Sequence, residues 1–496
     1  MLVVCTADAF VPHPIKDRAL NAHPLVVDLD GTLILTDTLH EAALRALRDQ
    51  PLDILRIPLW LSRGKAVLKQ GLAASTEFDA SALPYHPELL AWLRQQHAQG
   101  RQLVLCTAAD ESIAQAIAAH LGFFDIVMAS DGNHNLAGDN KARALEARFG
   151  RGGFDYAGNA QADLAVWQRA RRAIVVNAPE SLSKQAAAVS QVEHVFASPA
   201  PTLSVWLRML RVHQWLKNLL LFVPLFAAHQ LPGAQSGMAL VLAFFAFSLC
   251  ASVVYIGNDL LDLDSDRLHP RKCTRPFAAG RVPVAAGVLI APVLLLGGLA
   301  LATQVGAQFL GWLLFYFVLT CAYSLGIKRL ILVDCLALAM LYTLRLVAGA
   351  SAIALPLSYW LIAFGVFLFL SLAFVKRYAE LIVQAAHGKH KAHGRGYYTA
   401  DAPLVQTLGV AAGFSAVLVL ALYLNSDAVV KLYRAPEFVW GTVPVMLYWV
   451  SWMWMQAHRG NMHDDPLVFA LKDKASLLAG LAFAGVLALG ARGWTW

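Results

Sequence analysis

From about residue 213 to its end the chain repeats one pattern: a long apolar stretch, a short polar break, then another apolar stretch. Nine spans can be marked, at about 215–229, 237–256, 283–303, 307–325, 331–352, 358–375, 403–424, 438–456 and 475–492. A helix rising 1.5 Å per residue crosses a hydrocarbon core of roughly 30 Å in about 20 residues, so the pattern predicts an all-α polytopic membrane domain of nine transmembrane helices. Water is absent from that core, and each span must satisfy its backbone internally, which excludes open sheets there. The first 200 residues read differently, with mixed charge and short alternating runs. They predict a soluble α/β domain. The expected boundaries are 1–197 for the soluble domain, 198–212 for a linker and interfacial helix, and 213–496 for the membrane domain.

Composition enters where it excludes classes. A net charge of +7 would suit nucleic-acid binding, but the basic residues lie mainly between apolar spans. The breaks near 257–282, 326–330, 376–402 and 457–474 hold fifteen Lys and Arg, while the opposite breaks and the C-terminal end hold three, Lys431, Arg434 and Arg492. That asymmetry follows the positive-inside rule. It predicts a multi-pass protein of the inner (cytoplasmic) membrane, soluble domain cytosolic and C-terminus outside. Membrane lipids are expected partners and nucleic acid is not; a homo-oligomer stays open. The six cysteines, 5, 106, 250, 273, 321 and 335, form no CxxC pair and fit free thiols. Met1–Phe10 is short, contains Asp8 and lacks a basic start, so it does not read as a secretory signal. After Ala197-Ser-Pro-Ala-Pro-Thr, the run Leu203–Leu216 alternates apolar and basic residues at helical spacing and suits a helix lying in the interface.

Between the second and third spans stands Asn258-Asp-Leu-Leu-Asp262-Leu-Asp-Ser-Asp266-Arg267-Leu-His-Pro270-Arg-Lys-Cys-Thr-Arg275-Pro276. Asp259, Asp262 and Asp266 recur at i, i+3 and i+7, one face of a helix. Three carboxylates on one face repel unless cations neutralise them, and hard oxygen ligands suit Mg²⁺ bridging to a diphosphate. Arg267, Arg271, Lys272 and Arg275 add donors for phosphate oxygens. A solvated juxtamembrane loop is the plain alternative, but it needs no acidic periodicity. The pattern NDxxDxxxD with its trailing HPxK and RP resembles the UbiA superfamily of intramembrane transferases, whose layout is also nine helices with cytosolic acidic motifs.

In the soluble half, Leu25-Val-Val-Asp28-Leu-Asp30-Gly31-Thr32-Leu33 is an apolar strand ending in DxDGT. Carboxylates at the C-terminal end of a strand lie where open α/β sheets place their sites. Further along come Thr107 at the end of a second strand, Lys141 before a helix-like run, and Gly158-Asn159-Ala-Gln-Ala-Asp163. Together these resemble the haloacid dehalogenase (HAD) phosphatases, a Rossmann-like fold with a small helical cap, here expected over Asp37–Ala82. The resemblance implies Asp28 as nucleophile, Asp30 as general acid/base, Thr107 and Lys141 as phosphoryl-holding groups, and one Mg²⁺ among Asp28, Asp30, Asn159 and Asp163. That family usually has Asp where Asn159 stands. An amide oxygen still ligates Mg²⁺ but brings no charge, so an active phosphatase and a catalytically silent domain both stay open. The cap's basic residues (Arg45, Arg48, Arg56, Arg63, Lys65, Lys69) suit an anionic substrate or a solvated face.

Aromatic prenyltransferases of the UbiA type carry a second acidic motif after the sixth span. Here that region reads Phe374-Val-Lys376-Arg377-Tyr-Ala-Glu380 and then Arg395-Gly-Tyr397, too poor in carboxylates for a second Mg²⁺ clamp. The cationic substitution resembles the polyprenyl-phosphate phosphoribosyltransferase branch, the decaprenyl-phosphate phosphoribosyltransferase type. The resemblance runs through Gln214-Trp215-Leu-Lys217-Asn218, Asn258 with the acidic motif, Tyr323-Ser-Leu-Gly-Ile-Lys328, Asp334, Arg345, Lys376-Arg377 and Asp464-Asp465-Pro466. Cys273 stands where that branch has a basic residue. The branch implies that phosphoribosyl diphosphate (PRPP) is bound through Mg²⁺, one ion or more, on Asp259, Asp262 and Asp266. Lys217, Lys328, Arg345, Lys376 and Arg377 are candidates for its 5-phosphate, with Asn218, Asn258, Arg267, Lys272, Arg275 and Tyr323 as further substrate contacts. A polyprenyl phosphate would be the acceptor, and the fused phosphatase would remove the 5-phosphate of the lipid-linked product at high effective concentration. Competing readings are an aromatic prenyltransferase with a regulatory or inactive HAD domain, and a transporter. The latter would place its polar residues near the bilayer midplane rather than at helix ends.

Overall fold

The computed structural model describes residues 23–76, 78–197, 200–228, 233–391, 395–426, 433–462 and 465–492. The Met1–Phe10 segment, Cys5, Lys431, Asp464 and two linker residues, 198 and 199, lie outside them. The chain divides into two compact units, one running to Met209 and including Asp259–Val288, the other holding Leu210–Asn258 and the residues from Leu289 on.

The first unit is built on a six-stranded parallel sheet of β1 (Leu25–Val27), β2 (Leu103–Asp110), β3 (Ile126–Ser130), β4 (Asp155–Gly158), β5 (Arg172–Val176) and β6 (Gln191–Phe196), in the order β3-β2-β1-β4-β5-β6. Val26 aligns with Val104 on one side and Tyr156 on the other. Alternation splits the strands between two cores. Leu25, Val27, Leu103, Leu105, Ile174 and Val176 face one, and Val26, Val104, Cys106, Tyr156, Ala173 and Val175 the other. Strands buried on both faces explain the unbroken apolar runs in the sequence. The order reverses at β1, where a doubly wound sheet opens its ligand crevice. Between β1 and β2 lie α1 (Thr38–Asp49), a 3₁₀ turn (Pro51–Arg56), α2 (Ile57–Ser62) and α3 (Lys65–Ala74), in the stretch expected to form the cap. Asp37 caps α1 by accepting from the Leu39 and His40 N–H groups. The helix α4 (Pro87–Ala98) leads into β2, and α5 (Glu111–Leu121) and α6 (Asp139–Phe149) follow β2 and β3.

The second unit is helical. Among the described residues, seven helices of the chain are long and apolar enough to cross a membrane: Ala234–Leu261, Val284–Val305, Ala307–Leu325, Val333–Ala352, Tyr359–Ala386, Thr399–Leu424 and Lys474–Arg492. Val333–Ala352 is the most enclosed, while Val284–Val305 turns Leu289, Val293 and Leu296 outward. Apolar side chains exposed over that length mark a lipid-facing surface.

Two of the nine expected spans differ. The eighth is a helix of 17 residues, Thr442–His458. The first is not one α-helix: Val212–Phe222 is 3₁₀, and a short α-helix, Val223–Ala227, follows with Pro224 in its first turn. A close backbone approach accompanies this, since a Cβ on Gly349 would lie 2.0 Å from the Leu221 carbonyl oxygen. The interfacial helix expected over Leu203–Leu216 ends at Met209, because Arg211 adopts a left-handed conformation with φ of 52°. Its guanidinium sits 5.0 Å from the Tyr255 ring centre.

Candidate active site

At the C-terminal end of β1 the chain turns sharply. Asp28 N–H still donates to the Ala157 carbonyl at 2.9 Å, and Gly31 then takes φ of +73°, which only glycine adopts without strain. A Cβ there would also fall 2.1 Å from Asn159 Nδ2, so the Asn159 amide lies directly over the turn. Lys141, near the start of α6, donates from Nζ to Asp28 Oδ1 at 2.6 Å and to Tyr156 Oη at 3.0 Å. Tyr156 in turn donates to Asp163 Oδ1 at 2.7 Å, and Asp163 Oδ2 accepts the Asn159 and Ala160 N–H groups, each at 2.9 Å. The result is a buried relay from strand end to loop: Asp28, Lys141, Tyr156, Asp163.

Burial pushes the Asp28 carboxyl up, while the Lys141 ammonium pulls against it. For Lys141 burial favours the neutral amine, but Asp28 and then Asp163 outweigh it and hold the ammonium form. Asp30 is raised to about 7, first by burial and then by Asp37, against the Thr38 N–H that donates to it at 2.8 Å. A carboxyl in that range suits proton donation at neutral pH. Lys69 reaches in from α3, donating to the Ala108 carbonyl at 2.5 Å, and burial lowers its pKa although Asp30 pulls it up. Thr107 is fully buried near the end of β2, its hydroxyl accepting from Ala109 N–H at 3.0 Å.

The structure revises the geometry of the acidic motif. The helix Ala234–Leu261 stops before Asp262, and a six-residue helix, Leu263–Leu268, begins after it. The three carboxylates therefore do not share one helical face. Among the described residues, no group of three or more His, Cys, Asp or Glu side chains converges as a metal cage. Asp259 and Asp266 are brought together instead by Arg275, whose Nη1 donates to both, to Asp259 at 3.1 Å. Lys272 Nζ lies 3.7 Å from Asp266 Oδ1, an oxygen that is buried without a hydrogen-bond partner. Burial raises the Asp266 carboxyl, with Arg275 opposing. Arg267, expected on a phosphate, is turned elsewhere. It forms a bidentate pair with Glu41 at 2.5 and 3.0 Å, its guanidinium almost fully buried.

In the second unit Lys217 and Lys376 converge on Asp465, at 2.8 and 3.4 Å. Tyr342 donates to the same carboxylate. Burial would raise Asp465, but Lys217 and then Lys376 hold it well below the usual carboxylate range. Arg345 is 5 % exposed, with Nε on Asn218 Oδ1 at 2.9 Å, Nη1 on the Leu341 carbonyl and Nη2 on Tyr316 Oη. Asn218 also donates to Ser248 at 3.0 Å. Arg345 thus positions its neighbours, each of its three guanidinium nitrogens holding a partner. Arg377 departs further from the expected phosphate role: fully buried, it pairs with Asp334 and Glu380. Asp334 takes Arg377 and the Tyr397 hydroxyl. Tyr323 Oη accepts from Arg395 at 3.3 Å, and Asn258 donates to Ser324 at 3.0 Å. Lys328 lies on a 3₁₀ turn, Ile327–Arg329.

Residues 219–478 match the UbiA prenyltransferase family and residues 25–167 the haloacid dehalogenase-like hydrolases. The chain belongs to the UbiA prenyltransferase family. It carries in addition an N-terminal HAD-like domain. It is 38 % identical over 476 residues to an uncharacterized protein, y4nM, of Sinorhizobium fredii, covering 95 % of this chain and 91 % of that one. Nodulation protein NoeC of Azorhizobium caulinodans is 36 % identical over 55 % of this chain and 89 % of its own. Decaprenyl-phosphate phosphoribosyltransferase of Mycobacterium tuberculosis is 31 % identical over 58 % of this chain and 93 % of its own. The first of these relatives spans both halves, so the fusion is not peculiar to this chain.

Both resemblances imply Mg²⁺, and each site holds hard oxygen donors of the kind that ion takes. In the HAD-like site Asp28 and the Asn159 amide flank the Gly31 turn. In the acidic motif Asp266 Oδ1, buried without a hydrogen bond and with Lys272 Nζ 3.7 Å away, is the kind of oxygen that a bound cation satisfies. Asp163, expected near the ion, accepts two hydrogen bonds from its own loop and one from Tyr156 on β4, and so ties that loop to the strand.

Proposed function

We propose that the UbiA domain transfers a 5-phosphoribosyl group from PRPP to a polyprenyl phosphate, and that the HAD-like domain removes the 5-phosphate from the lipid-linked product. The observation that carries the transferase reading is the Lys217–Lys376 pair, brought together on Asp465. Where aromatic prenyltransferases of this family have a second set of carboxylates, this chain has cations, which bind a phosphate directly rather than through an ion. The named activity of the mycobacterial relative supports the same reading.

In this account Asp259, Asp262 and Asp266 hold the diphosphate end, with Arg275 and Lys272 leaving the carboxylates for phosphate oxygens. Lys217 and Lys376 exchange Asp465 for the 5-phosphate. Bound Mg²⁺ would neutralise diphosphate and phosphoryl oxygens. An oxygen of the lipid phosphate attacks C1 as the C1–diphosphate bond breaks. That oxygen is already ionised, so positioning and charge neutralisation supply the rate, and no strong base is required. In the HAD-like domain, Asp28 attacks phosphorus, Asp30 protonates the departing 5-oxygen, Lys141 steadies the phosphoryl oxygens, and water then releases phosphate from Asp28. The Lys and Arg bias of the neighbouring breaks supports a cytosolic position for the soluble domain, at the inner membrane.

The test is incubation of the purified protein with Mg²⁺, PRPP labelled in the ribose, and a polyprenyl phosphate. Label entering the organic phase only when lipid phosphate is present supports transfer. Label that stays aqueous across several chain lengths, while a polyprenyl diphosphate and an aromatic acid yield product, overturns it.

A further inference from the structure

The segment Asp259–Val288 lies within the residues that match the UbiA family, yet it belongs to the same compact unit as the HAD-like domain. The joint is electrostatic. Glu41 on α1 takes both Arg267 nitrogens, at 2.5 and 3.0 Å. One turn on, Arg45 clasps Asp264, with Nη2 to Oδ1 at 2.7 Å and Nε to Oδ2 at 3.1 Å, and Arg48 adds a contact at 3.1 Å. Arg45 also reaches Glu41 at 3.4 Å, closing the chain Arg267–Glu41–Arg45–Asp264. Glu41 and Arg45 are buried. Buried charges are stable only while each keeps its partner, so the network fixes geometry more than it adds strength. Packing repeats the message, since a Cβ on Gly280 would lie 2.4 Å from Leu35 Cβ.

Both anchored residues, Asp264 and Arg267, sit on the six-residue helix that also carries Asp266. The turn of α1 before them carries Thr38, which donates to Asp30. We propose that Glu41 and Arg45, residues of the phosphatase-like cap, are positioning residues for the transferase: they set the Leu263–Leu268 helix and with it the spacing of Asp266 from Asp259 that receives the diphosphate. This rests on the phosphoribosyl-transfer reading above. A helix of this length, flanked by a break at Asp262, does not hold its own orientation in water, and its outer partners must supply it.

The experiment compares full-length wild type, Glu41→Gln, Arg267→Gln and the double variant, with Arg45→Lys as the conservative control. Misplacing a ligand-bearing helix by a fraction of an ångström is expected to raise KM for PRPP by about tenfold or more in each single variant, with kcat changed by less than about threefold. The double variant should be no worse than the worse single one, because both remove the same link. Dephosphorylation of a small phosphate ester should stay within about twofold, since Glu41 touches neither Asp28 nor Lys141. Hydrogen exchange of the peptide containing Leu263–Leu268 should accelerate in the same variants. Unchanged KM in Glu41→Gln overturns the proposal, as does unchanged exchange, and so does an equal loss of kcat in all four variants including Arg45→Lys, which is what general destabilisation gives. A wild type that transfers no phosphoribosyl group refutes the assigned reaction alone. The exchange comparison then still decides whether α1 orders this helix.

Discussion

Removing one oxygen should separate the buried relay of the HAD-like domain into its parts. Tyr156→Phe deletes a hydroxyl that accepts from Lys141 at 3.0 Å and donates to Asp163 at 2.7 Å, in a side chain with no exposed surface. Hydrogen bonds to charged groups contribute about 1.5–3 kcal/mol each, and two that share one atom are not additive, so the expected loss is roughly 2–3 kcal/mol. Asp163 keeps the Asn159 and Ala160 N–H groups, and Lys141 keeps Asp28, so the domain still folds. In hydrogen exchange of the full chain, that loss appears as roughly 30- to 150-fold faster exchange of the most protected amides in β2, at 1.36 kcal/mol per tenfold. Phosphatase kcat/KM should fall about tenfold, because Lys141 is steered less firmly toward the phosphoryl group. Exchange within about twofold of wild type, which is under 0.5 kcal/mol, would show that the relay stabilises nothing and would refute the reasoning.

Three further outcomes follow from the same geometry. Gly349→Ala should lower the stability of the detergent-solubilised protein by about 1–3 kcal/mol or more, because the new methyl meets the Leu221 carbonyl oxygen, a backbone atom that cannot rotate away; an unchanged melting temperature contradicts it. Burial pushes the Cys106 thiol up to about 12, so alkylation at pH 8 should spare it while modifying the accessible Cys273, as read by peptide mass spectrometry. Lys217→Met should raise KM for PRPP about tenfold with a smaller change in kcat, since it removes binding that ground state and transition state share; a KM for PRPP equal to wild type would remove Lys217 from the site.

Much of the architecture was readable from periodicity alone. Apolar runs of span length declared the membrane helices, and the strand ending in DxDGT declared a parallel sheet. What failed did so for local reasons. The i, i+3, i+7 spacing of Asp259, Asp262 and Asp266 assumes an unbroken helix, and the chain breaks at Asp262. The first span reads as an apolar helix, but the approach of Leu221 to Gly349 accompanies a 3₁₀ path that no periodicity records. Charge type did not reveal partner: Arg267, Arg345 and Arg377 all looked like phosphate ligands, and each is engaged by the protein itself. Tyr156 carried no signal, being one more aromatic in a buried strand. Tyr342 carried a weak one, lying three residues before Arg345 on the same helical face. Asp465 stood in a quoted motif, but its role as the carboxylate joining Lys217 and Lys376 depends on contacts more than 80 residues apart.

The central claim is that one chain makes a lipid-linked pentose phosphate and then strips its phosphate. The most direct measurement is the mass of the lipid product formed from PRPP and a polyprenyl phosphate by wild type and by Asp28→Asn. The account predicts a pentosyl lipid without the 5-phosphate from wild type, and the same lipid still bearing it from Asp28→Asn. Identical products from the two proteins would contradict the coupled reaction, and no pentose on the lipid from either would contradict the transfer itself.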